Sequence, residues 1–343
     1  MPRNLVALTM LCLAAAAPAH AQEDVASFYK GKQIRLFVGS AAGSGYDIGA
    51  RVVARYISKY IPGNPIVVIE NQPGAASLSM TSSLYNTQPR DGTVIGAAIN
   101  GMPTAPLLEP TGVRFDPTKL TWLGSTNSEV QVTYVWYTAP VQSFADLLTK
   151  ELITGATQPG TTQVDFPLVA NAVLGTKFKV ISGYLGTTDI HKAMEAGEVQ
   201  GNGSTAYATL KELNADWLAE KKVKVIAQWG FHKHPDLPDV PSILDMAKNE
   251  ADKQALRLVL ARLQYSRPFF APPDLPPERT AALRRAFDMT MKDPEFLAEA
   301  AKLQLEIAPV SGEDVAALVA EVSATPPDVV ARVRAALAAP TGK

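Results

Sequence analysis

From Ile34 to Val38 the chain is almost continuously apolar, six small residues follow from Ser40 to Gly45, and then Ile48, Val52, Val53, Tyr56, Ile57 and Tyr60 recur at spacings of three and four. This pattern predicts a buried strand, a loop and an amphipathic helix over Tyr46 to Tyr60. The alternation continues with a strand from Ile66 to Glu70, a helix from Ala75 to Tyr85, a turn at Pro89-Arg90-Asp91-Gly92 and a strand from Thr93 to Ile99. A Pro-rich connection from Met102 to Lys119 leads to another apolar segment, Leu120 to Gly124. Strands near Val130 to Trp136, Leu152 to Ala156, Lys177 to Ser182 and Val223 to Trp229 then alternate with helices over Ser143 to Lys150, Val164 to Leu174, Thr188 to Ala196 and Ala206 to Asn214. The Pro-rich stretch after Phe231 ends this second unit. The remainder reads as mainly helical, with apolar faces in Ala255 to Leu263, Arg279 to Met291, Pro294 to Leu303 and Val315 to Val322.

Strand alternating with helix is the mark of α/β layers around a largely parallel sheet. One such unit, then a second, then trailing helices predict two lobes joined by crossing segments: 22–124 with 231–343, and 125–230. A cleft between lobes of this kind is a natural place for a ligand.

The first 21 residues read as an export signal, with Arg3 near the start, an apolar run from Leu5 to Ala17 and Ala19-His20-Ala21 before a cleavage point after Ala21. That apolar run is shorter than the roughly 20 residues a membrane span needs. The single cysteine, Cys12, lies inside it, so the mature chain is expected to lack disulfides, thiolate nucleophiles and cysteine metal sites. The chain carries 32 basic and 33 acidic residues; without Arg3 the basic count is 31, and the net charge is −2. With no basic stripe, nucleic acid is not an expected partner.

The loop after the first strand is suited to hold an anion, because small side chains let a ligand reach the amides at a helix start. Ser40, Ala42, Gly43, Ser44, Gly45 and Tyr46 are the candidates there, and Asp47 is either a cap or a ligand group. A second small-residue loop, Thr154 to Thr162, offers Gly160, Thr161 and Thr162 from the other lobe. Tyr184, Gly186, Asn202, Gly203 and Ser204 are expected after later strands and facing the same cleft, with Asn100 and Gly101 closing the third strand of the first lobe. Plain turns and core packing are the alternatives for each of them.

Gly43-Ser44-Gly45 with a late third glycine at Gly49 imitates a dinucleotide fingerprint but has G-x-G-x-x-x-G spacing. His232 and His234 flank Lys233 without an acidic cluster at ligand spacing, so no metal site is expected. No G-x-S-x-G is present, and catalysis and cofactors are not expected.

Several segments in order resemble the periplasmic solute-binding receptors of tripartite tricarboxylate transporters, the Bug family. They are Val38 to Asp47 with Ala50-Arg51, V-V-I-E-N-Q-P-G-A from Val67 to Ala75, Pro89 to Thr93, Gly183 to Gly186, Gly197 to Gly201, and L-P-D-V-P-S from Leu237 to Ser242. The resemblance implies a two-lobed periplasmic-binding-protein-like α/β fold closing on a small carboxylated solute held mainly by backbone amides and water. It further implies periplasmic location, delivery to transporter membrane subunits, and a monomer. Gly39-Ser40, Ser44, Tyr46 and Gln200 depart from the family pattern, and ligand specificity is expected from Ser40, Tyr46, Thr161, Tyr184 and Gln200. The competing expectation is an exported α/β enzyme that binds phosphate or nucleotide on the Gly43 to Asp47 loop.

Overall fold

A computed structural model describes residues 24–109 and 111–342. The export segment and Cys12 lie outside these residues. The strands are β1 (Gln33–Val38), β2 (Ile66–Asn71), β3 (Val94–Ala97), β4 (Thr121–Ser125), β5 (Gln131–Trp136), β6 (Leu152–Ala156), β7 (Phe178–Ser182), β8 (Gly201–Ala206), β9 (Val223–Trp229), β10 (Pro268–Ala271) and β11 (Val310–Ser311). They form two sheets, ordered β11-β4-β10-β3-β1-β2 and β7-β6-β8-β5-β9.

In the first sheet β1 lies between β3 and the edge strand β2 and pairs in parallel with both, Leu36 standing opposite Ile69 and Ile95. Burial from both faces explains why β1 reads as an apolar run instead of an alternation. In the second sheet β6 pairs in parallel with β7 and β8, and β5 runs antiparallel between β8 and β9. The molecule is therefore the predicted α/β, two-lobed architecture, but its sheets are mixed instead of largely parallel, because β10, β11 and β5 pair antiparallel with their neighbours.

Three strands depart from the expected pattern, among them the two-residue β11, which pairs antiparallel with β4 from within the segment read as helical. β10 lies in the segment read as helical, yet it is inserted antiparallel between β3 and β4. Its four residues, Pro268-Phe269-Phe270-Ala271, are too few to show a period. β8 is G-N-G-S-T-A, a composition with no strand signal, but it occupies the middle of its sheet. Its glycines are required by contact. A Cβ at Gly203 would stand 2.5 Å from Pro167 Cγ of the helix Thr162–Leu174, and one at Gly201 would stand 2.5 Å from the Tyr134 carbonyl oxygen. A further helix absent from the expectation, Pro327–Leu337, follows Gly312–Ser323.

The largest apolar cluster runs through both sheets, from Phe37 and Trp122 to Phe166 and Trp229, by way of the helices Glu250–Gln264, Gly312–Ser323 and Pro327–Leu337. After the last helix the chain reaches the edge of the second sheet, where Gly342 N–H donates to Val180 O and Ser182 N–H donates to Gly342 O. No helix among the described residues is long and apolar enough to cross a membrane.

Candidate functional site

A cleft of about 570 Å³ opens where loops leaving the carboxyl ends of β3 and β6 meet. Such crevices are where open α/β sheets take ligands. The first sheet contributes Asn100 and Gly101 after β3, and the second contributes Gln158, Pro159, Gly160 and Thr161 after β6. Arg262 and Leu337, from the helices Glu250–Gln264 and Pro327–Leu337, complete the wall.

The first-sheet rim is fixed by an unusual turn. Ala75, Ala76 and Ser77 have φ of 43°, 51° and 71°, three successive left-handed residues, none of them glycine. Each costs about 1–2 kcal/mol, so the surroundings must hold the turn in place. Ser77 Oγ does so by donating to Gly39 O at 2.9 Å and accepting from Ile99 N–H at 3.1 Å. A Cβ on Gly39 would fall 2.4 Å from that oxygen. The ends of β1 and β3 are thereby tied to a turn whose Ala76 lines the cleft.

The second-sheet rim is held by charge. Gly160 N–H donates to Asp165 Oδ1 at 3.2 Å, while Arg262 Nη1 donates to Asp165 Oδ2 at 3.0 Å and to Gly160 O at 3.2 Å. Arg262 is only 8% exposed, and its Nε has no partner among the described residues. Burial pushes the Asp165 carboxyl up, against the pull of Arg262 and the Gly160 amide. Gln163 pins the same loop: its Oε1 accepts from Thr157 N–H and Oγ1, and its Nε2 donates to Thr187 Oγ1.

The loop expected to be the first anion mouth is placed differently. Ser40, Ala42, Gly43, Ser44, Gly45, Tyr46 and Asp47 are not among the residues lining the cleft. Asp47 is buried and acts as an internal anion, its carboxylate accepting from Gly43 N–H at 2.8 Å, Arg51 Nε at 2.9 Å and Asn71 Nδ2 at 2.8 Å. Burial alone would raise its pKa, but these donors outweigh it and hold Asp47 below the usual carboxylate range. Ser44 caps the helix Gly45–Ile57, its Oγ accepting from Asp47 N–H and sharing a hydrogen bond with Ser40 Oγ. Tyr46 touches a lining residue without lining the cleft: its hydroxyl accepts from Asn100 N–H at 3.4 Å, and the Arg267 guanidinium lies 5.2 Å from its ring centre.

Of the other expected residues, Asn100, Gly101, Gly160 and Thr161 meet in the cleft, and Thr162 is the first residue of the helix behind it. Tyr184 and Gly186 lie on the loop after β7 and do not line the cleft. Tyr184 packs toward the second sheet's outer apolar cluster. Asn202, Gly203 and Ser204 are inside β8 instead of after a strand, all buried. Ser204 Oγ donates to Gln131, and Gly203 O accepts from Thr133. Gln200 Oε1 accepts from Ile153 N–H, which commits it to the sheet. His191 is buried against the Tyr134 hydroxyl at 2.6 Å, and burial holds its pKa below the usual histidine value.

Sequence reasoning missed Arg262, Asp165, Ala76, Thr104, Glu109 and Leu337. A signal for Arg262 existed: it continues the Ala255, Val259 stripe at helical spacing, a charged residue on an apolar face.

The family model described as "Tripartite tricarboxylate transporter family receptor" matches residues 49–334. A Cupriavidus necator protein named "UPF0065 protein in gbd 5'region" is 25% identical over 312 residues, covering 88% of this chain and 87% of that relative. Among solved structures, a TctC solute binding protein from Polaromonas superposes with a TM-score of 0.70 at 17% identity, over 88% of this chain and 99% of that chain. An R. palustris protein solved with adipate superposes with a TM-score of 0.56 at 19% identity, over 89% and 97%.

Proposed function

The chain belongs to the tripartite tricarboxylate transporter receptor family, and from that premise we propose that it captures a small organic carboxylate in the cleft between its two sheets and delivers it to transporter membrane subunits. The observation that carries this reading is the convergence of Asn100 and Gly101 from one sheet and Gly160 and Thr161 from the other on one cavity. A solute touching both loops binds the closed arrangement better than an open one. It shifts the equilibrium by that difference in affinity. The R. palustris structure with adipate supports a carboxylate as the solute class.

The receptor acts as a periplasmic monomer after removal of residues 1–21, with lobes built on 22–124 plus 231–343 and on 125–230, the chain's last described residues crossing back to the second sheet. It binds without transforming its solute. The rival enzyme reading is disfavoured by Asp47, because the loop that would cradle a phosphate already directs its Gly43 amide to an internal carboxylate.

Thermal unfolding of the mature protein against panels of carboxylates and nucleotides tests the proposal. A ligand of the folded state at 100 times its Kd adds about 2.7 kcal/mol, so a carboxylate is expected to raise the melting temperature. A rise with nucleotides alone would overturn it.

A further inference from the structure

The cleft's charges are few and unequal. Among the described residues its only lining cation is Arg262, while its lining acids are Asp165 and Glu109. Arg262 has spare capacity: Nη1 serves Gly160 and Asp165, whereas Nε has no partner among the described residues. A guanidinium carries five N–H donors in a fixed fork, so one further carboxylate can be taken without breaking the clasp on Gly160. Glu109 lies close enough for its charge to push the Asp165 carboxyl up. A second anionic group in the cleft would find no second cation among the described lining residues and would meet these two acids. The rest of the wall mixes the two chemistries: Leu78, Ile99, Leu108 and Leu337 offer contact to hydrocarbon, beside the polar Thr104 and Gln158. At about 570 Å³ the cavity accommodates a hydrocarbon body as well as a carboxylate.

Resting on the carboxylate-receptor reading, we infer that the cleft selects an acid with one carboxylate and an apolar body, Arg262 holding the carboxylate and Glu109 turning away di- and tricarboxylates. Its partial pairing with Asp165 keeps Arg262 from being an isolated buried charge, which would be costly. Like charges facing each other across a site act against wrong partners.

Calorimetric titration of hexanoate and adipate into the mature protein isolates the second carboxylate, because the carbon chains are equal in length. Hexanoate is expected to bind at least about tenfold tighter, equivalent to about 1.4 kcal/mol. Glu109→Gln should narrow that gap by strengthening adipate while leaving hexanoate nearly unchanged. Arg262→Met alone would strand Asp165, so the double variant Arg262→Met/Asp165→Asn is the informative one; its amide oxygen still accepts from Gly160 N–H. It should fold and lose hexanoate binding at least about tenfold. Adipate binding as tightly as hexanoate, or undiminished hexanoate binding by the folded double variant, would overturn the inference while leaving a carboxylate receptor standing. Absence of binding by any carboxylate in a wider panel would overturn both.

Discussion

Asp47 shows how a residue that looks like part of a ligand site can be the substitute for a ligand. Its carboxylate takes Gly43 N–H, Arg51 and Asn71 into a half-exposed cluster at the start of the helix Gly45–Ile57. Asp47→Ala strands these donors, and a stability loss of about 1–3 kcal/mol is expected in urea unfolding, with carboxylate affinity nearly unchanged. Large loss of affinity at full stability would instead put this loop in the site. At this scale the sequence was legible where backbone carries the function: Asn100, Gly101, Gly160 and Thr161 stand out as small or polar residues closing strands. Arg262 stood out only as a charge on an apolar helix stripe, and Asp165 was opaque, because the meaning of both depends on a contact across 97 positions. The left-handed turn at Ala75–Ser77 was equally hidden, since nothing in alanine or serine announces a positive φ.

At the scale of elements, the helix Thr162–Leu174 determines where the second rim stands, because it begins immediately after Thr161 and carries Asp165. It sits against β8 through Pro167 on Gly203. Gly203→Ala forces that pair apart, and overpacking of this kind costs about 1–3 kcal/mol. Weaker carboxylate binding should accompany the loss, readable by comparing urea midpoints with titrations; wild-type affinity in the destabilised variant would show that the rim does not follow the helix. The same contact explains why β8 was not recognised. A strand selected for thinness has lost the β-branched and aromatic residues by which strands are found. β1, β5, β6 and β9 were legible because their faces carry large apolar side chains, and the amphipathic helices because their stripes repeat. β10 escaped for a different reason: it is short and its neighbours β3 and β4 are distant in the chain.

Across the whole molecule, one apolar core and a terminal brace join the two sheets. Arg332 of the helix Pro327–Leu337 reaches Asp252 and the carbonyls of Ala172 and Val173, and Arg334 reaches the Leu107 carbonyl. A second long-range tie, Asp293, caps the helix Pro294–Lys302 and accepts from Lys59 and Tyr60. Lys59 foremost, outweighing the cost of burial, lowers the Asp293 carboxyl to about 2 from its ordinary 3.8. A carboxylate with a depressed folded pKa contributes stability above its ordinary pKa and loses it as pH falls through the folded value. Stability should therefore decline between pH about 4 and about 2, and Asp293→Asn should flatten that decline in urea midpoints measured across the window. An unchanged slope would remove Asp293 from the acid response.

The proposed solute site is the space shared by the two sheets' loops, and Gly101 gives direct access to it. This residue lines the cleft, has an ordinary φ of −77°, and a Cβ added there meets nothing within 4 Å. Gly101→Trp is thus expected to fold as the wild type does while filling the cavity. Calorimetric titration of a carboxylate that binds the wild type should give no measurable heat of binding with Gly101→Trp. Equal affinity in the two proteins would place the ligand outside this cleft.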